Sequence, residues 1–363
     1  MAHMEATILD TNFNIIGIVD DYQSMIWTER YSQTGDFEIY GDVSTTIGLY
    51  PKMEYFVTIP ESKRAMIIEN MEVNETAKDG NKMVVSGRSL ESLLMRRIVW
   101  DQTVFGNVSV QSIIERLLND NAIVCTGHEE RIIPNLIFRA SEDTAVTSCE
   151  VESAQFTGQT LYEAIQQLCD AFDLGFKIEL SNGDLIFSLF AGKDRSYSQN
   201  VNSFVVYSSD FDNVISSVFK TSRAGYSNIA LVAGEGEGSD RRKATYTTQE
   251  SEPAGLQRYE MFVDARDISS TVDGGTVSDA DYIAMLQTRG AEKLAEVEED
   301  YTYDAQIDMI NSYQYGIDYD IGDILQQVGV MGIRSQIRIT EFIRCMDTNG
   351  YSAYPQFKII DFN

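Results

Sequence analysis

The first ninety residues carry the two-residue alternation of apolar and polar positions that half-buried strands require. Ile8-Leu9 and Ile15 to Val19 flank a turn at Asp10-Thr11-Asn12. Ser24 to Tyr31 and Phe37 to Tyr40 are two more extended runs, separated by Thr34-Gly35-Asp36. Tyr55 to Ile59, Ala65 to Val73 and Lys82 to Ser86 continue the pattern, with turn residues at Pro60-Glu61-Ser62-Lys63 and Lys78-Asp79-Gly80-Asn81. Short strands with polar turns predict a small barrel or sandwich.

The period then changes to that of helices. Ser89 is placed to cap a short helix carrying Leu90, Leu93 and Leu94, and Ser109 a second with Val110, Ile113, Ile114, Leu117 and Leu118 on one face. Thr160 and Glu163 form a capping-box pair, ahead of a stripe of Leu161, Ile165, Leu168, Cys169 and Phe172. Phe176 to Leu180, Asn182-Gly183 and Leu185 to Phe190 read as a hairpin, because both turn positions tolerate positive φ. From Ser203 to Asp267 the pattern is β again, interrupted by Gly234-Glu235-Gly236-Glu237-Gly238-Ser239-Asp240, expected to be a flexible acidic loop. Ser278 and Asp281 open a long helix with Tyr282, Met285, Leu286, Leu294 and Val297 inward. Near the end, strict alternation puts Ile337, Ile339, Glu341 and Ile343 on one strand face and Arg338, Thr340, Phe342 and Arg344 on the other. The fold class is therefore α+β, mainly β, in several compact units.

Composition narrows the function. The chain has 363 residues, 43% hydrophobic and 23% charged, as in folded proteins, with only five prolines. No apolar run is long enough to cross a bilayer as a helix, and no membrane insertion is expected. Met1-Ala2-His3-Met4 looks like a cloning remnant, with Met4 the natural start. The net charge of −28 opposes binding to a phosphate backbone, and suits a particle surface or a channel wall that must not hold DNA. Cys125, Cys149, Cys169 and Cys345 form no Cys-x-x-Cys pair and read as reduced, mostly buried thiols.

Catalytic chemistry finds little support. Only His3 and His128 exist, and His128 sits in the polar stretch Thr126-Gly127-His128-Glu129-Glu130-Arg131, so a triad or a histidine-rich metal site would rest on one residue. The run Glu296-Val297-Glu298-Glu299-Asp300 reads as a solvated helix end. The Gly234 to Gly238 loop lacks the Lys and Ser/Thr of a P-loop. Arg241-Arg242-Lys243 is the only compact basic triplet, and Asp273-Gly274-Gly275 and Asp318-Tyr319-Asp320 lack the full pattern of a calcium loop. No catalytic, cofactor-binding or metal-binding residue is assigned, and no cofactor is expected.

Four strings, in order, resemble one family. They are Met25-Ile26-Trp27-Thr28-Glu29-Arg30-Tyr31 with Thr34-Gly35-Asp36-Phe37-Glu38-Ile39; Val84-Val85-Ser86-Gly87-Arg88-Ser89-Leu90-Glu91-Ser92-Leu93-Leu94 with Arg96-Arg97-Ile98-Val99; Tyr259 to Asp267; and Tyr319-Asp320-Ile321-Gly322-Asp323-Ile324. The family is the siphovirus "gp-thirty-seven-like" tail proteins, and the resemblance spans about residues 5 to 360. It implies a baseplate-hub architecture: a tube-like β domain at 5–90, an α+β domain at 91–200, a second tube-like β domain with a long helix at 201–300, and a small C-terminal β-barrel at 301–363. It further implies a non-enzymatic virion tail protein, assembled in the bacterial host cytoplasm. Its expected partners are two further copies in a trimeric ring, the tail tube and distal tail proteins, the tape-measure protein and a central spike or tip protein. Gly35 and Gly87 are expected at turns or close backbone approaches, Asp36 and Asp323 on turn amides, and Arg88, Arg97 and Arg266 in ion pairs or subunit contacts. Two other readings compete: a tail-associated cell-wall hydrolase using paired carboxylates, and a receptor- or carbohydrate-binding tip protein whose aromatic side chains serve as stacking platforms.

Overall fold

The computed structural model describes residues 4–76, 80–238, 241–272, 275–297, 299–307, 313–329 and 334–362. The chain forms two compact units, Met1–Ser217 with Asp304–Asn363, and Val218–Tyr303. The class is mainly β with helices, in several sheets.

Seven strands open the first unit: β1 (Ala6–Leu9), β2 (Ile15–Val19), β3 (Ser24–Arg30), β4 (Asp36–Asp42), β5 (Phe56–Thr58), β6 (Ala65–Thr76) and β7 (Gly80–Ser89). They pair in the order β2-β1-β5-β6-β7-β4-β3, and the sheet continues past β3 into the strands Arg334–Asp347, Ile324–Val328 and Val206–Ser208. Gly350–Phe362 pairs along Arg334–Asp347 as well. The last strands thus belong to the same sheet as the first, and the described strands close no barrel. Trp27, Phe37, Ile39 and Val85 fill the core of this sheet.

Two glycines explain how closely its strands approach. A Cβ on Gly87 would lie 1.8 Å from the Ile67 carbonyl oxygen, and one on Gly35 would lie 2.3 Å from that of Thr28. Both are close backbone approaches, as the sequence pattern suggests.

The strand Arg334–Asp347 departs from strict alternation. Its pairing shifts between Ile339 and Glu341, where a β-bulge accommodates Thr340. Ile337 and Ile339 are buried before the bulge; Phe342, Arg344 and Met346 are buried after it, while Glu341 and Ile343 are only partly covered. The extra residue rephases the strand and brings Arg344 inward.

The helical segment packs in a second core, which also takes in Leu9, Phe56, Ala65 and Ile67 of the sheet. Val110–Leu118 buries Val110, Ile113, Ile114, Leu117 and Leu118, and the Ser109 hydroxyl accepts from the Ser112 N–H at 3.2 Å. Leu161–Ala171 has both capping-box bonds, Glu163 N to Thr160 Oγ1 at 3.1 Å and Thr160 N to Glu163 Oε2 at 2.9 Å. The hairpin Gly175–Ser181/Asp184–Phe190 turns at Asn182 and Gly183, with φ of 53° and 89°. Ser89 behaves differently from expectation. Leu90–Arg96 is a 3-10 helix without a side-chain cap, and the Ser89 hydroxyl accepts from the Gly35 N–H at 2.7 Å.

In the second unit, the sheet Lys243–Thr247/Ile229–Ala233/Glu260–Asp264 packs against the helix Asp279–Ala295 through Val232, Val263, Tyr282 and Leu286. Ser278 caps that helix by accepting from the Asp281 N–H at 3.2 Å.

Gly87→Ala is expected to destabilise the first unit by more than about 2 kcal/mol, since the β6 backbone at Ile67 and Glu69 must move away from the new methyl. Urea unfolding followed by tryptophan emission measures this, and an unchanged midpoint would contradict the close packing at Gly87.

Candidate functional site

On β3 the inward stripe runs Met25, Trp27, Glu29, so a carboxylate follows two apolar side chains into the interior. Glu29 is 6% exposed. Arg344, two residues along the neighbouring strand from Glu29's register partner Phe342, donates from Nη1 to Glu29 Oε1 at 2.6 Å. The Tyr315 hydroxyl donates to Oε2 at 3.2 Å, and Arg64 Nε lies 4.0 Å from the same oxygen. Arg64 also donates from Nη1 to Glu91 Oε1 at 3.1 Å, and this oxygen accepts the Ile178 N–H at 2.8 Å. Arg344 Nη2 reaches the Glu61 carbonyl at 3.0 Å, and the Tyr315 ring stacks on Phe342 with centroids 3.8 Å apart.

Two carboxylates and two guanidiniums therefore neutralise one another in the interior. Burial alone would raise the pKa of Glu29, but Arg344 and then Arg64 outweigh it and hold the carboxyl below its ordinary range. Burial and the neighbouring Glu29 push the Tyr315 hydroxyl far up. The cluster borders a cleft of about 420 Å³. Two further ion pairs stand at its walls: Lys177 with Glu179 at 2.8 Å, and Asp323 with Arg195 at 2.6 Å. A general acid near neutral pH needs a carboxyl raised by its surroundings. Glu29 is shifted the other way, so the site is suited to holding segments together.

The sequence candidates separate clearly. Asp323 accepts the amides of Lys193 at 2.7 Å and Asp320 at 3.1 Å, in line with its expected turn role. Asp36 instead pairs with Arg30. Arg88 pairs with Glu69 at 2.6 Å and Arg266 with Asp264, whereas Arg97 donates to the carbonyls of Arg131 and Arg96. The basic triplet is engaged within its own unit: Arg241 on Asp264, and Arg242 on Asp279 and over the Tyr282 ring at 3.8 Å. Glu235 accepts from the Ser270 N–H and hydroxyl, while Ser239 and Asp240 lie outside the described residues. His3, Lys78, Asp79, Asp273, Gly274 and Glu298 lie outside them too. Glu296 and Glu299 pair with Lys293 and Arg223. No metal-ligating group of three occurs among the described residues. Cys125 and Cys169 are buried, Cys149 and Cys345 partly so, and all four are free thiols. Sequence reasoning missed the cluster of Glu29, Arg64, Glu91 and Arg344; the one available signal was a glutamate in phase with Met25 and Trp27.

Glu29→Gln or Arg344→Met, each leaving an uncompensated buried charge, is expected to cost about 3–5 kcal/mol at pH 7. Because the folded carboxyl titrates below its ordinary 4.5, its stabilisation is present above pH 4.5 and is lost as pH falls through the folded value. Urea titrations from pH 7 down to acid check both statements. A wild-type loss in this range that is undiminished in Glu29→Gln would place the effect elsewhere.

The fold has close counterparts. A tail protein from Neisseria meningitidis MC58 superposes with TM-score 0.57 at 12% identity, covering 99% of this chain and 97% of that one. The 43 kDa tail protein of prophage MuSo2 from Shewanella oneidensis gives 0.59 at 12% identity, covering 98% of each. Prophage tail protein gp18 from Listeria monocytogenes EGD-e gives 0.54 at 13%, covering 99% of this chain and 95% of that one. At such identities the likeness is one of fold. No curated protein matches the sequence. The profile described as "Siphovirus ReqiPepy6 Gp37-like protein" matches residues 5–354, and the chain belongs to this family.

Proposed function

We propose that the chain is a non-enzymatic subunit of the baseplate hub of a phage tail or tail-like particle, where three copies form a ring joining the tail tube to the central tip. The observation that carries the reading is the family match across residues 5–354. The ion pairing of Glu29 with Arg344 and of Glu91 with Arg64 supports a structural role for these carboxylates over hydrolysis. The segments 5–90 and 201–300 are proposed as the paired tube-like elements, 91–200 as the α+β insertion and 301–363 as the C-terminal β element. The proposed neighbours are the tail tube and distal tail proteins, the tape-measure protein and a spike or tip protein, within the virion baseplate after assembly in the host cytoplasm.

A ring needs a self-complementary or head-to-tail contact that closes. The large sheet offers three edge strands: among the described residues, β2, Val206–Ser208 and Gly350–Phe362 each pair on one side only. On β2, Ile15 is 72% exposed, and Ile16 and Ile18 are also exposed. An edge strand carrying three isoleucines invites pairing with another chain.

Sedimentation velocity across a salt series tests the assembly. Each chain carries −28, so association is expected to strengthen from low to moderate salt, as screening shortens to about 8 Å at physiological ionic strength. Ile15→Lys with Ile18→Lys is expected to leave a monomer with unchanged circular dichroism. A stable dimer, or association that weakens steadily with salt, would overturn the ring. In a zymogram the protein is expected to leave cell walls intact; clearing that one Asp or Glu substitution abolishes would restore the hydrolase reading.

A further inference from the structure

Two cations face each other across the last strand pair. In the ladder between Arg334–Asp347 and Gly350–Phe362, Arg338 and Lys358 are register partners, so their side chains stand opposite one another on one face of the sheet. Like charges placed directly across a ladder destabilise it. Little in the protein offsets them. Among the described residues Arg338 has one ion pair, Nη2 with Asp173 Oδ2 at 3.5 Å, and Lys358 has none. The Asp173 side chain is 77% exposed and that of Arg338 only 9%, so a covered guanidinium relies on a carboxylate that mostly faces water. The remaining contacts of Arg338 fix its position without adding negative charge. Nη1 donates to the Gly322 carbonyl at 3.1 Å, the guanidinium lies 5.3 Å from the Tyr31 ring centroid, and Nε finds no acceptor among the described residues.

Both cations line a cleft of about 510 Å³, whose apolar walls include Tyr31, Leu174 and Ile360. Arg30 borders the same cleft but is already engaged: its Nε donates to Glu341 Oε1 at 3.0 Å, and its Nη1 pairs with Asp36. Glu341 is thereby neutralised, and Asp170 and Asp173 are left as exposed carboxylates of the lining. This arrangement sorts ligands by charge. A neutral apolar molecule would cover Arg338 and Lys358 without compensating either. A dianion would set its second negative charge against Asp170 and Asp173. A single carboxylate supplies one negative charge to the facing cations and accepts charge-assisted hydrogen bonds from them. An apolar body attached to it removes the surface of Leu174 and Ile360 from water.

We propose that this cleft binds a small monocarboxylate with an apolar body, its carboxylate held by Arg338 and Lys358. The cleft shares no lining residue with the one beside Glu29, and the proposal does not depend on the hub reading. Saturation-transfer NMR on the full chain tests it, in a buffer free of carboxylates and phosphate, with benzoate and butyrate as probes and benzamide as the neutral isostere. At least one of the two acids is expected to bind with Kd on the order of 1 mM, and benzamide at least about tenfold more weakly. Lys358→Gln is expected to weaken acid binding by about tenfold, and Arg338→Gln by more. Lys63→Gln, at an exposed lysine of the other cleft, is expected to leave it unchanged. Dianionic phosphate at the concentration of the acid is expected to leave the transfer signal in place. Circular dichroism reports whether the variants are folded, and Lys358→Gln decides the matter if Arg338→Gln does not fold. Absence of transfer to both acids overturns the proposal. So does binding undiminished in Lys358→Gln or equally diminished in Lys63→Gln, benzamide binding as tightly as benzoate, or displacement of the acid by equimolar phosphate.

Discussion

A carboxylate withdrawn from water is tolerated only beside compensating charge, and β3 supplies none for Glu29 on its inward face. The compensation comes from elsewhere in the chain: Arg344 from the strand Arg334–Asp347, and Arg64 from the approach to β6. Arg64 is itself buried and takes Glu91 as its second partner, and Glu91 fixes the amide of Ile178 in the hairpin. Each group is acceptable where it stands because the next is in place. Hydrophobic burial collapses this unit without choosing a direction. The ion cluster chooses one: slipping the strand Arg334–Asp347 by one residue would turn Arg344 away and strand Glu29. The bulge at Thr340 is part of the same constraint, because it sets the phase that brings Arg344 inward.

Local chemistry was readable from the sequence wherever its partners lay within a few residues. The Thr160–Glu163 box, the Asn182-Gly183 turn and the caps at Ser109 and Ser278 all formed as their spacing implied. Ser89 had the right neighbours for a cap, yet its hydroxyl went to Gly35, a residue distant in sequence that β4 and β7 bring alongside. The faces of Arg334–Asp347 were misassigned because period-two reasoning cannot see an inserted residue. The cluster around Glu29 was invisible for the same reason at larger scale: its ionic partners are fixed by strand order, which alternation does not encode.

Arg30, Arg64, Arg195, Arg338 and Arg344 are all engaged with carboxylates while largely or partly covered. Each such pair removes one acid together with one base, so the excess of 28 acidic residues set by the sequence is unchanged by the pairing. A net charge of −28 resists adhesion to nucleic acid without needing any specific feature.

The placement of Arg334–Asp347 beside β3 has a consequence for the order of events during synthesis. β3 emerges from the ribosome early, with Trp27 and Glu29 on its inner face and β4 available as its neighbour on one side. The strand that completes its other side is more than three hundred residues away, as the Glu29–Arg344 separation of 315 shows. Until then, the nascent sheet has an open edge, and Glu29 lacks Arg344, the nearer of its two guanidiniums. Contacts of such long sequence separation form slowly, and the waiting edge is open to wrong partners. Commitment of the first unit to its native sheet therefore waits on the later strand, which seals an edge left open since β3 was made.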